Sequence, residues 1–193
     1  MTKMLFFFVS TLLLVSLNSC ESSTNSNSAE GYEAAQTVTE ITHDEVIAAQ
    51  QAWVDALVEI GRLNTTGGDY RAFAAEVLST AYNYEHGEVF FKPTLTHGDQ
   101  TFRNTKTGAL AYFVGGVDAY PDDKGFALNP WKSARFENSG VQIHGNVAIT
   151  MGNVFVSDAD GNEVMVDKTW AFKKGDDDQL RIILHHSSLP FTP

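Results

Sequence analysis

The chain has 193 residues, a formal net charge of −11 and a single cysteine. An acidic body repels phosphate backbones, so nucleic acid is not an expected partner. One cysteine excludes an intrachain disulfide, and a Cys-based zinc cage with it.

Lys3 precedes an apolar run from Leu5 to Leu17 that is interrupted only by small hydroxyls. A spanning helix needs about 20 apolar residues. The run instead has the length of the hydrophobic part of a secretion signal. It ends in Leu17-Asn18-Ser19-Cys20, which resembles the lipobox of bacterial lipoproteins. The resemblance implies removal of residues 1–19 and acylation of Cys20. Attachment would follow at the cell envelope, on the periplasmic face of the inner or outer membrane. Residues 20–41, rich in Ser and Asn, read as a flexible tether. Residues 42–193 then read as one domain.

Thr42-His43-Asp44-Glu45 is a capping-box pattern at a helix start. Val46, Ala49, Trp53, Leu57 and Ile60 follow at helical spacing, and Gly61 or Gly67 closes the helix. The pattern predicts a second helix from Asp69 to about Tyr82, with Phe73, Val77 and Ala81 on one face. Val89-Phe90-Phe91 reads as a short strand stopped by Pro93. A short helix is expected from Thr105 to Val117, near the terminator Gly115-Gly116.

From Trp131 the rhythm changes. Turn signals stand at Ser139-Gly140, His144-Gly145-Asn146, Asp158 to Asn162, and Gly175 to Asp178. They predict strands near 131–137, 141–156, 163–173 and 180–189. Helices first and hairpin strands afterwards imply an α+β domain, three helices on one face of a curved antiparallel sheet. Such a layer leaves a concave pocket suited to a small ligand.

The segment Leu184-His185-His186-Ser187-Ser188-Leu189 puts four polar residues into an apolar strand. Strand alternation pairs His185 with Ser187 on one face and His186 with Ser188 on the other. Pattern alone does not choose the inward pair, and the two histidines point apart, which disfavours joint chelation of a metal. His86, His97 and His144 are scattered. Asp158 to Asn162 faintly resembles part of a calcium loop but lacks the closing Glu, so a hairpin turn is expected.

Four segments carry a family resemblance: Phe90-Phe91-Lys92-Pro93-Thr94, Ala111-Tyr112-Phe113-Val114-Gly115-Gly116, Gly125-Phe126-Ala127-Leu128-Asn129-Pro130-Trp131, and His185-His186-Ser187-Ser188-Leu189-Pro190. Together they resemble the iota-class carbonic anhydrases. Those are relatives of the calcium/calmodulin-dependent kinase association domain, within the NTF2-like (cystatin-like) α+β cone. The resemblance spans about residues 42–191. It implies reversible hydration of carbon dioxide to bicarbonate, in a pocket that works without a metal in well-described members. Other members are described with manganese or zinc. Carried over by motif, Thr94, Tyr112 and Ser187 would hold the substrate and His185 would accept or relay the proton. Phe91, Phe113, Leu184 or Trp170 would supply apolar walls. A homodimer is also implied. The competing reading is a non-catalytic module of the same fold that binds a ligand or oligomerises.

Overall fold

The computed structural model describes residues 39–193. The segment read as a secretion signal, Cys20 and the tether up to residue 38 lie outside the described residues. Ile41 is already in the core, and its N–H donates to the Gly145 carbonyl at 3.0 Å.

Helix α1 spans His43–Thr66. Both halves of the capping box are made: the Glu45 N–H donates to Thr42 Oγ1, and the Thr42 N–H donates to Glu45 Oε2 at 2.8 Å. Glu45 also accepts from Lys174 Nζ at 2.7 Å, which ties the helix start to the sheet and lowers the carboxyl pKa to about 2. Gly67, at φ 75°, closes the helix in the left-handed conformation that glycine adopts without strain. Gly61 stays inside it: a Cβ there would lie 2.6 Å from the Asn129 carbonyl oxygen. Helix α2, Tyr70–Thr80, buries Ala74 and Leu78. Helix α3, Lys106–Val114, is capped by Thr105 and stops three residues earlier than expected, because Gly115 turns to φ 61°.

Five strands follow: β1 Phe90–Lys92, β2 Ser133–His144, β3 Val147–Ser157, β4 Glu163–Lys174 and β5 Leu180–Ser188. Their order in the sheet is β1-β5-β4-β3-β2. Three expectations are corrected. The strand expected near 141–156 is broken by a turn at Gly145-Asn146, so its first residues end β2 and the rest form β3. The sheet is mixed, because β1 lies parallel to β5, with Phe91 opposite His185. Ser139-Gly140 is not a turn but a bulge within β2, where the register against β3 shifts between Asn138 and Gly140. Turn-forming residues in mid-strand are what a bulge requires. Gly152 faces this point, and a Cβ on it would sit 2.0 Å from the Glu137 carbonyl oxygen. The bulge also turns Asn138 toward α1, where it exchanges two hydrogen bonds with buried Gln50 at 2.9 and 2.7 Å.

The inner face of the sheet carries Ala148, Thr150, Val154 and Val156 from β3, and Val166, Lys168, Trp170 and Phe172 from β4. Trp53, Val54 and Leu57 from α1 and Phe113 from α3 complete one continuous core.

Candidate active site

Because β1 and β5 run parallel, the residues after Lys92 come abreast of the polar end of β5. Alternation turns His185 and Ser187 inward, each 1 % exposed, and leaves His186 at the surface. That resolves the choice of face left open by pattern alone. Thr94, just beyond β1, sets its Oγ1 2.6 Å from Ser187 Oγ. Lys92 Nζ donates to the Ser187 carbonyl at 2.8 Å.

Tyr112 reaches the same place from α3. Its ring stacks on Phe126 at 5.6 Å and meets Phe91 edge-on at 5.8 Å. Burial pushes the phenol up to about 12, held back in part by the Thr94 hydroxyl and the backbone of Leu95 and Thr94. The phenol therefore remains protonated, a hydrogen-bond donor, throughout the neutral range. Among the described residues its hydroxyl has no partner in full hydrogen-bonding geometry, and neither does the buried Trp170 Nε1. A cleft of about 360 Å³ opens to solvent beside Tyr112, lined also by Leu95, Asp123 and Phe126; Thr94, Ser187 and His185 do not line it. The sequence-derived residues Thr94, Tyr112, Ser187 and His185 thus come together around the end of β5.

His185 is not the solvent-ready imidazole that the sequence suggested. Phe91 stacks on it at 4.5 Å, and Trp53 meets it edge-on at 5.2 Å. Both ring nitrogens are occupied, Nδ1 by the Tyr82 hydroxyl at 2.7 Å and Nε2 by Lys168 Nζ at 2.8 Å. Burial first, then the charges of Lys168 and His186, hold its pKa well below the usual histidine value. Leu184 is not an apolar wall of this site, because alternation turns it to the opposite face from His185.

Sequence reasoning missed three residues. Tyr82 lies just past α2, fully buried, and accepts from Trp53 Nε1 at 2.8 Å. Trp53 was read only as core. Lys168 had a legible signal: it stands two residues from Val166 and two from Trp170, on the core parity of β4.

Among the described residues, no three His, Cys, Asp or Glu side chains gather in a way that could hold a metal ion. Asp158 is committed to its own turn, accepting from the backbone of Asp160 at 2.9 Å and of Asn162 at 3.0 Å.

Residues 44–189 match the family described as metal-independent carbonic anhydrase. A relative of that name from Nostoc sp. (strain PCC 7120) is 51 % identical over 153 residues, covering 78 % of this chain and 75 % of its own. A crystal structure of a cyanobacterial iota-carbonic anhydrase complexed with bicarbonate matches at a TM-score of 0.78 and 50 % identity. That match covers 80 % of this chain and 95 % of the other. A putative calcium/calmodulin-dependent kinase II association domain from Xanthomonas campestris shares the fold alone, at a TM-score of 0.52 and 18 % identity over 76 % of this chain and 86 % of its own.

Proposed function

The chain belongs to the metal-independent carbonic anhydrase family and interconverts carbon dioxide and bicarbonate, and on that premise we propose that Thr94, Tyr112 and Ser187 bind and orient the reactants. The observation that carries this reading is the contact of Thr94 Oγ1 with Ser187 Oγ at 2.6 Å, beside the unpaired Tyr112 hydroxyl.

Two hydroxyls that share one hydrogen bond use one of their two protons on each other. The remaining proton and the free lone pairs are available to a water molecule. As water adds to carbon dioxide, negative charge grows on the former carbon dioxide oxygens. Tyr112, a protonated donor with no competing partner, supplies a hydrogen bond to that charge. Phe91, Phe113 and Trp170 line the inner wall, and their low polarity strengthens each hydrogen bond within it. The family is described as metal-independent, so the protein's own dipoles and charges do what a zinc ion does elsewhere.

Stopped-flow hydration of carbon dioxide by the purified protein tests the reading. The expected result is a rate well above the uncatalysed one, unchanged by a strong chelator. No acceleration from a folded sample overturns it, as does activity that chelation abolishes and zinc or manganese restores.

We also propose that the domain is held at the envelope through acylated Cys20 and that it pairs as a homodimer. Support for the anchor is the sequence Leu17-Asn18-Ser19-Cys20 behind its apolar run. Support for pairing is the outward face of β3 and β4, where Ile149 and Met151 are exposed on β3 and Met165 is exposed further along β4, opposite Phe155. Palmitate labelling that Cys20→Ala fails to abolish would refute the anchor, and sedimentation at one chain mass would refute the dimer.

A further inference from the structure

Lys168 is a cation in an unusual place. It lies on the inner face of β4, 5 % exposed, directly across from Ser187 on β5. Cross-strand partners of this kind have Cβ atoms about 5 Å apart. Its Nζ lies 4.6 Å from the Trp53 ring centroid and 5.4 Å from that of Trp170. Among the described residues no carboxylate comes within 4.0 Å of it. Buried lysines without a carboxylate partner, unlike arginines, readily lose their charge.

The hydrogen-bond chain fixes which form it takes. Trp53 Nε1 can only donate, so the Tyr82 oxygen accepts from it. The single Tyr82 proton then has one place to go, His185 Nδ1, at 2.7 Å. A neutral His185 that accepts at Nδ1 carries its proton on Nε2. That proton points at Lys168 Nζ, 2.8 Å away, and requires a lone pair there. Only a neutral amine has one. An ammonium would force the imidazole into its other tautomer and strand the Tyr82 proton in the core. Burial, together with the charge of Lys92, brings the Lys168 pKa down to about 7, in the same direction.

The titratable groups around Lys168 are few. His185 and His186 come from β5, Lys92 from β1, Tyr82 from the turn after α2 and Tyr112 from α3. Asp167, its neighbour in β4, acts on His186. The packed groups from α1 are the Trp53 ring and Gln50, which carry no charge.

We propose that Lys168 is the proton acceptor of the hydration reaction. The inference rests on the carbonic anhydrase reading. The oxygen of water forms the new bond to the carbon of carbon dioxide. One water proton ends on the amine, whose single lone pair turns from His185 Nε2–H to take it, giving bicarbonate and an ammonium. The same ammonium returns a proton to bicarbonate in dehydration, its lone pair turning back to His185 Nε2–H. An apolar pocket disfavours an isolated charge of either sign. Here both charges appear together as an ion pair, and both leave together when bicarbonate departs and the ammonium passes its proton to a water or buffer base that enters the vacated pocket. The Tyr82–His185 arrangement then restores the amine for the next cycle.

The test is the pH dependence of hydration in wild type, Lys168→Gln and Lys168→Arg, with nitrogen-15 NMR of the lysine side chains in the wild type. The wild-type rate should rise with pH through one inflection. Lys168→Gln should lose about 10²-fold in kcat, lose that inflection, and regain activity when a small amine is added. Lys168→Arg, always charged, should show no such rescue. One lysine nitrogen should lose its ammonium signal while the other lysines keep theirs. A Lys168→Gln enzyme with the wild-type rate and inflection overturns the proposal, and so does a wild type whose lysines all remain ammonium to pH 9. The NMR reading needs no variant, so a misfolded substitution leaves the question decidable. A wild type that hydrates no carbon dioxide while one lysine does titrate early counts against the enzyme reading instead.

Discussion

Ser187→Ala lowers kcat/KM for carbon dioxide hydration by about 10²–10³-fold, or roughly 3–4 kcal/mol of transition-state stabilisation, while the far-ultraviolet dichroism of the fold stays unchanged. The size follows from where the hydroxyl sits. Ser187 is buried at the inner end of β5 and is bonded to Thr94 at 2.6 Å. Removing its oxygen deletes one donor from the pocket and releases the Thr94 hydroxyl from Ser187, so two of the three proposed substrate contacts change at once. Alanine fills nearly the same volume, and the main-chain bond from Lys92 to the residue 187 carbonyl does not depend on the side chain. Stopped-flow kinetics on the variant check the prediction. A rate within threefold of wild type would remove Ser187 from the mechanism.

Tyr82→Phe is expected to destabilise the fold by about 2–4 kcal/mol, since each buried polar group left unpaired costs about 1–3 kcal/mol. At this chain length the melting temperature should fall by about 5–15 °C. The hydroxyl joins Trp53 Nε1 and His185 Nδ1, with all three groups shut away from water. Phenylalanine keeps the ring, which stacks on Tyr84 and lies 6.2 Å from Phe91, so packing is preserved and the loss isolates the hydrogen bonds. The substitution also frees the His185 tautomer, because Nδ1 no longer has a donor to satisfy. A melting temperature within a degree of wild type would mean that the chain Trp53–Tyr82–His185 contributes little to stability.

These two sites differ in how far the sequence discloses them. Helix α1 was legible because its signals are local: a capping box at Thr42 and a stripe from Val46 to Ile60. Two of the four long strands, β4 and β5, were legible from their turns. β2 and β3 were divided in the wrong place, because Ser139-Gly140 looked like a turn and is a bulge, while the true hairpin turn at Gly145-Asn146 fell inside the strand expected near 141–156. The difference is set by pairing with β3, which no local pattern contains. The parallel pairing of β1 with β5 was likewise invisible, since Phe90 and Leu184 lie far apart in the chain. Thr94, Tyr112, Ser187 and His185 were found through motif resemblance, and the structure gathers them. Their chemical roles remain proposals. Lys168 was overlooked although its strand parity marked it as inward. A lysine reads as surface by default, and only the positions of Val166 and Trp170 on either side argue otherwise. The resemblance gave His185 the part of proton acceptor or relay, and nothing in the sequence tells how deeply the ring is buried or which groups hold its nitrogens.

The placement of β5 has a consequence for how this protein is made. The last strand of the described chain is not an edge. It is inserted between β1 and β4, and it carries both His185 and Ser187. Until it docks, β4 exposes an open hydrogen-bonding edge, and Thr94, Tyr82 and Lys168 lack the hydrogen-bond partners that β5 supplies. Closing the pocket therefore requires contacts spanning about half the chain, the kind of long-range pairing that slows folding. A ribosome must synthesise as far as Ser188 before any of the proposed chemistry can exist. The unfinished chain is a sheet with its catalytic seam still open, exposed to mispairing for as long as synthesis lasts.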